Sequence, residues 1–433
     1  MNWMDTYRSK VVTADEAVSH IDSGQRVFLT GNCSMPVKTL EALVARAPGL
    51  SDVEIVHVLT IGTGSYVAPE LEGHIRVNAL FIADNVRQAV NEGRADFTPV
   101  FLSEIPLLFK RGQLPLDVAV IHVSPPDEHG FCSFGVEISV TKPAAQSARI
   151  VIAEVNAQMP RTLGDSFIHV SKLDYIVPVD YPLNETRMGE PTELSKCIAT
   201  HIARLIPDGA TLQTGIGAIP DAVLRQLETH QHLGIHTELF SDGVIDLVEK
   251  GVIDGERKSL HPGKIIASFM IGTRRLYDFV NDNAVIEMHP SEYTNDPFVV
   301  AQNDRMVAIN SAIEVDLTGQ VCSDSIGTRF YSGVGGQVDF IYGASRSKGG
   351  VPIIALPASC TIKGQRASKI VPTLKPGAGV VTTRNHVHYV VTEHGAADLY
   401  AKTIRQRARA LIDVAAPEFR AELEEEAIKL RYL

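Results

Sequence analysis

What most constrains this 433-residue chain is that part of it occurs twice. Thr30-Gly31 leads, after four intervening residues, to Pro36 and on to Leu40 and Leu43; Thr214-Gly215 leads at the same spacings to Pro220, Leu224 and Leu227. One offset of 184 residues aligns all five pairs. Each copy reads as strand, glycine turn, proline at the first helical position and amphipathic helix. A looser echo follows, where Asp127–Cys132 and Asp316–Val321 each close an apolar strand with a turn. Duplication at this scale predicts two related open α/β domains. The length agrees, because one hydrophobic core stops growing at roughly 250–300 residues. The polar stretch Asn184–Pro191, with its proline and glycine, is the natural linker, giving domains 1–186 and 187–433.

Short runs rich in β-branched residues, such as Val53–Val58, Val118–Val123, Ile150–Ile152 and Ile353–Leu356, alternate with amphipathic stretches such as Pro36–Ala47 and Pro220–Leu227. That alternation is what βαβ units and largely parallel sheets require. The stretch Pro417–Leu430 opens with proline and reads as a charged outer helix.

Composition removes several function classes. A net charge of −11 argues against partners that bind through a basic surface, such as nucleic acid or an anionic membrane. The first 23 residues carry charges throughout, and nowhere is there a charge-free apolar run long enough to span a bilayer, so the expected location is the cytoplasm. Five cysteines, odd in number and never spaced C-x-x-C, suggest neither a disulfide framework nor a zinc site. No H-E-x-x-H or G-x-S-x-G occurs among the 15 histidines and the serines, so no metal is expected and a serine triad has no local support.

Four segments could carry chemistry. In the second copy the turn is Gln213-Thr214-Gly215-Ile216-Gly217-Ala218-Ile219-Pro220. Two glycines between strand and helix let backbone N–H groups converge on an anion or a developing oxyanion, though a tight packing corner accounts for the spacing equally well. A dinucleotide fingerprint is incomplete, since Pro220 stands where glycine or alanine is required. Next, His236-Thr237-Glu238-Leu239-Phe240-Ser241-Asp242-Gly243 reads as a buried strand end, a Ser-Asp cap and a helix from about Val244. Glu238 falls at the carboxyl end of that strand, where ligands sit in open α/β sheets. On the residues alone a structural ion pair or a capping carboxylate is the plainer account of it. The third, Ser332-Gly333-Val334-Gly335-Gly336-Gln337, precedes a helix and then the strand Val351–Leu356; close backbone approach and a flexible loop both fit. The fourth, Ser124–Gly130, reads as a surface turn.

Together these segments resemble the acetyl-CoA hydrolase/transferase family, the class I coenzyme A transferases, in the branch that handles 4-hydroxybutyrate and butyrate. The resemblance runs through 93–106 (GRADFTPVFLSEIP), 124–135 (SPPDEHGFCSFG), 154–165 (EVNAQMPRTLGD), the Gly215 turn, 236–243 (HTELFSDG), 333–340 and 391–399 (VTEHGAADL). It implies two α/β domains with the active site between them and Glu238 as covalent nucleophile. Gly215, Ile216, Gly217, Ala218, Ile219, Ile313, Gly335 and Gly336 would contact coenzyme A, and Gln213 would orient carboxylate or acyl groups. Coenzyme A and acyl-CoA are then substrates, with no tightly bound cofactor; short-chain carboxylates are the other substrates, and a homodimer is implied. At His394 a tyrosine, and at Lys369 an arginine, would be the commoner residue. An acyl-CoA hydrolase using the same glutamate is the near alternative, a sugar-phosphate-sensing α/β domain the distant one.

Overall fold

The computed structural model describes every residue except Met1, Met188 and Ile216. It divides into two units, Met1–Arg187 with Ile266–Thr294, and Met188–Ile265 with Asn295–Leu433. The chain does not divide at one point. Ile266–Thr294, expected in the second domain, belongs to the first unit, where backbone bonds hold it: Thr186 N–H donates to Gly272 O, Asp282 N–H to Arg161 O and Ser291 N–H to Ser139 O.

The first unit is built on a seven-stranded sheet: β1 (Arg26–Leu29), β2 (Val53–His57), β3 (Ile75–Ala79), β4 (Asp96–Phe97), β5 (Val118–Val123), β6 (Ile150–Asn156) and β7 (Tyr175–Val179). The order is β4-β3-β2-β1-β5-β6-β7, and every pairing is parallel. Parallel strands are covered on both faces, which is why β5, VAVIHV, is buried at all six positions and reads as a continuous apolar run.

The second unit is built on a six-stranded sheet: β8 (Thr211–Gln213), β9 (Gly234–Ile235), β10 (Met306–Ser311), β11 (Val351–Ala355), β12 (Tyr389–Thr392) and β13 (Gly395–Asp398). Their order is β9-β8-β10-β11-β12-β13, parallel except for the final hairpin. The chain leaves β8 for β9 on one side and later returns to its other side with β10. The strand order therefore reverses between β8 and β10, and crevices at the carboxyl ends of strands open at such points.

The repeat is visible in three dimensions. Helix α1 (Val37–Arg46) follows β1 and α2 (Ala218–Gln226) follows β8. Leu40 and Leu43 in one, Leu224 and Leu227 in the other, are all buried, each worth about 1.5–3 kcal/mol of apolar burial. The prolines differ from expectation. Pro36 caps α1 from just outside, whereas α2 begins two residues before Pro220. Both places are tolerated, because first-turn N–H groups lack helical partners anyway. Two further helices matter below, α3 (Asp242–Glu249) and α4 (Gln337–Arg346), whose Phe340 and Ile341 enter the core with Ala308 and Ile354. The chain ends with a 3₁₀ turn at Pro417–Phe419 and the helix Arg420–Lys429, which buries Leu423 and Ala427.

Candidate active site

Glu238 does not close a continuous strand. The segment read as one strand is broken into β9, a bridge at His236 and a two-residue strand Leu239–Phe240, with Glu238 at the bend between them. Thr237 makes the break. Its hydroxyl lies 3.0 Å from both Thr214 O and Leu239 O and accepts from Thr214 N–H at 3.4 Å, tying the bend to the turn after β8. Just upstream, His236 N–H donates to Leu212 O at 3.0 Å. Buried Lys258 packs across Gly234 and donates from Nζ to Ile235 O at 2.8 Å. After the bend, Ser241 occupies the N-cap and α3 starts at Asp242, slightly earlier than expected.

The carboxyl of Glu238 is half-buried, and among the described residues one side chain donates to it: Asn295 Nδ2 reaches Oε2 at 2.7 Å. Desolvation raises its pKa to about 7, against the opposing pull of the Asn295 bond. A Cβ built at Gly336 would collide with Glu238 Oε2 and Asn295 Nδ2, so the approach of α4 to the carboxyl requires glycine there. Gly335 has φ +57, in the left-handed region that suits glycine. Gly336 is the N-cap of α4, and neither its N–H nor that of Gly335 finds an acceptor among the described residues. At α2 the N–H groups of Ala218 and Ile219 are likewise without acceptors among the described residues, and Gly217 has φ +120. Unsatisfied N–H groups at a helix start carry partial positive charge and suit an anion or oxyanion.

The structure thus brings Glu238 and Gly336 together, with Gly335 adjoining, and places Gly215, Gly217, Ala218 and Ile219 on the turn joined to the bend through Thr214 and Thr237. Ile216 lies outside the described residues. Ile313 stands in the second unit just beyond the carboxyl end of β10. It lines a cavity of about 600 Å³ with Tyr331, Ile362, Lys369 and Lys375. Lys375 pairs with buried Glu314, while Lys369 Nζ donates to Ala312 O at 3.2 Å and has its pKa lowered by burial. The walls are largely apolar, with Lys369, Lys375 and Glu314 as the charged groups among them.

Gln213, at the end of β8, is 1% exposed, and its Oε1 accepts from Ile309 N–H at 3.1 Å and Asn310 Nδ2 at 3.0 Å. Asn295 carries no motif and escaped the sequence reading; its one signal is the turn-forming Asn-Asp-Pro run, where Asp296 caps the short helix Pro297–Val300. The Ser124–Gly130 segment is a surface turn, organised by Asp127, which accepts from the N–H groups of His129 and Phe131 and pairs with Arg161 at 3.1 Å.

The arrangement is a reachable, weakly partnered carboxyl beside unsatisfied backbone donors. It can attack a carbonyl carbon while those donors hold the oxyanion. Comparisons with known proteins give this chemistry a setting. Residues 1–182 match the acetyl-CoA hydrolase/transferase N-terminal domain and residues 272–427 its C-terminal domain. The chain is 54% identical to a 4-hydroxybutyrate coenzyme A transferase of Clostridium kluyveri, over 98% of each chain. It is 49% identical to a succinyl-CoA:acetate/propanoyl-CoA:succinate CoA transferase of Fasciola hepatica, over 95% of this chain and 86% of that one. Among solved structures, a 4-hydroxybutyrate CoA-transferase of Porphyromonas gingivalis superposes with a TM-score of 0.86 at 44% identity, covering 99% of this chain and 100% of that one. RipA of Yersinia pestis superposes with a TM-score of 0.94 at 35% identity, covering 100% of both. Likeness of this extent, over both halves and the turns between strands and helices, is membership: the chain belongs to the acetyl-CoA hydrolase/transferase family.

Proposed function

We propose that the chain, an acyl-CoA:carboxylate coenzyme A transferase, works by a ping-pong reaction through a glutamyl-CoA thioester on Glu238. One Glu238 oxygen attacks the acyl carbonyl of the incoming thioester. The C–S bond breaks, and a mixed anhydride and coenzyme A thiolate result. The thiolate then attacks the glutamyl carbonyl, the anhydride C–O bond breaks, and the first acid leaves as a carboxylate. A second carboxylate reverses both steps, with no net uptake or release of protons. Each step passes through an oxyanion, for which the N–H groups of Gly335, Gly336, Ala218 and Ile219 are the donors; one such donor is typically worth about 3 kcal/mol.

The observation that carries this reading is the state of Glu238: half-buried, held by Asn295 alone among the described side chains, and so close to Gly336 that a Cβ there would collide with its Oε2. The cavity at Ile313, largely apolar with Lys369 and Lys375 among its lining residues, suits the pantetheine arm and the anionic end of coenzyme A. Binding energy gained there, remote from the reacting carbons, can be used to bring two carboxylates together. The substrate pair is 4-hydroxybutyrate or butyrate with acetyl-CoA and acetate: 4-hydroxybutyrate and acetate stand in the names of relatives given above, and butyrate and acetyl-CoA follow from the resemblance of the sequence motifs. A cytoplasmic homodimer completes the reading; five unpaired cysteines, two of them exposed, fit a reducing compartment.

The test is to incubate the protein with acyl-CoA and no acceptor and to map the product by mass. A hydroxylamine-labile, CoA-sized addition on the peptide containing Glu238 is expected. Turnover with no adduct, or with one on another residue, would exclude the mechanism.

A further inference from the structure

Strand β9 is an edge of the second unit's sheet, so alternate residues along it have no strand to bond to. Gly234 N–H donates to Ala210 O and His236 N–H to Leu212 O, both towards β8; the carbonyl of Ile235, between them, therefore faces the open edge. A later segment covers that edge. Leu233 donates its N–H to Val252 O, and its carbonyl accepts from Gly255 N–H. The last carbonyl before the bend, that of Ile235, is taken by a side chain, Lys258 Nζ, at 2.8 Å. Lys258 is 4% exposed, and the same ammonium donates to Lys264 O at 2.7 Å. Its surroundings fix its place. Lys258 N–H donates to Gly255 O, Gly263 N–H closes the loop onto that carbonyl at 2.9 Å, and the stem lies across Gly234, where a Cβ would collide with Cγ and Cδ. Burying an ammonium is costly, and charge-assisted bonds to two carbonyls offset that cost.

We infer that Lys258 is a positioning residue for the Glu238 carboxyl: its ammonium pins the end of β9 from the open edge, as the Thr237 hydroxyl pins the bend from the β8 side. This rests on the proposed reaction through Glu238 and adds what holds the nucleophile in place. Ile235 stands three residues before Glu238, and the backbone between them is bonded to Leu212 and Thr214 on one side and to Lys258 on the other. Without the ammonium the strand end is tethered from one side only, and the carboxyl can move away from Gly336 and Asn295. The charge itself is not what acts. Desolvation and the Asn295 bond set the pKa of Glu238, so losing Lys258 bears on rate and not on ionisation.

Two replacements test it. Lys258→Met keeps the stem across Gly234 and loses both bonds, while Gly234→Ala keeps the ammonium and displaces the stem. In each, formation of the CoA adduct on Glu238 in a single turnover is followed across the pH range, with folding checked by circular dichroism. A shift of about 1 Å at a reacting group costs on the order of 10²-fold, so the plateau rate is expected to fall roughly 10- to 100-fold in both variants. The pH of half-maximal rate should stay near 7, and KM for acyl-CoA should change less than about two-fold. A folded variant with a plateau within about two-fold of the wild type would overturn the assignment. So would a loss that falls on KM instead of the plateau, or a midpoint displaced by about one pH unit with the plateau kept, which would make Lys258 act by charge. If Lys258→Met does not fold, Gly234→Ala decides on the same criteria. An adduct formed at the wild-type rate in the variants would refute the role of Lys258 alone, whereas its absence from the wild type would refute the reaction itself.

Discussion

Two glutamates at the carboxyl edges of the two sheets, one fully buried and one half-buried, have opposite surroundings. Glu154, on β6 of the first unit, is fully buried and saturated: it accepts from Thr39 N–H in the first turn of α1 and from the Tyr181 hydroxyl. Glu238 keeps part of its surface open and has Asn295 as its one side-chain donor among the described residues. Burial raises the pKa of both carboxyls, and in Glu154 the added bonds from Tyr181 and Thr39 work against it. The duplicated strand-turn-helix thus ends differently in each unit. In the first, the helix start is closed by an internal carboxylate; in the second, the first-turn N–H groups of α2 are left without acceptors among the described residues. A carboxylate that structure needs is surrounded by donors, and one that chemistry needs is left short of them.

Breaking the open end should have the largest effect. Glu238→Gln removes the proposed nucleophile and should lower kcat by at least about 10⁴-fold, on the scale of losing a covalent catalyst. The same variant should be more stable than the wild type at pH 8. The folded-state pKa of Glu238 lies near 7, against 4.5 when unperturbed, so the folded state holds a proton that the unfolded chain releases. Its contribution is complete below about pH 4.5 and is lost as pH rises through 7, a change of about 1–3 kcal/mol for a half-buried group. Denaturation midpoints of the two proteins should therefore separate at pH 8 and converge near pH 4.5.

Gly336→Ala comes next. The added methyl must displace Glu238 Oε2 or Asn295 Nδ2, and a shift of about 1 Å at a reacting group costs on the order of 10²-fold in kcat. Asn295→Ala should be milder. It removes the one interaction that lowers the Glu238 pKa, so the pH midpoint of kcat/KM should move upward from about 7, with a loss of roughly 10-fold at neutral pH that shrinks at higher pH. An unshifted midpoint would mean that Asn295 does not govern ionisation. At the closed end, Tyr181→Phe should leave kcat within about two-fold while lowering stability by about 1–3 kcal/mol, as for a buried carboxylate deprived of a donor. If Tyr181→Phe instead impaired the rate more than Asn295→Ala, the contrast between the two glutamates would be misdrawn.

The parallel strands were legible because strands covered on both faces are largely apolar; Val118–Val123, apolar except for His122, is the plainest case. Both copies of the repeat were legible from glycine, proline and leucine spacing. What stayed hidden depended on contacts distant in sequence. The break at Glu238 comes from one hydroxyl, that of Thr237, reaching the turn 23 residues earlier. Asn295 is 57 residues from the carboxyl it holds, and no local pattern announces it. The transfer of Ile266–Thr294 to the first unit likewise rests on backbone bonds to residues more than 80 positions away, such as that from Thr186 to Gly272. Glu238 itself was ambiguous by composition, since a buried carboxylate reads alike whether it is paired or poised; the family resemblance singled it out, and its sparse partnership is visible only in three dimensions.

The most direct measurement is the rate of CoA-adduct formation on Glu238 in a single turnover without acceptor, followed by quench and peptide mass mapping from pH 5 to 9. A poised carboxyl nucleophile requires the adduct to appear on that residue at a rate that climbs with pH, is half-maximal near 7 and then levels. A pH-independent rate, or coenzyme A transfer that proceeds while Glu238 stays unmodified, would contradict it.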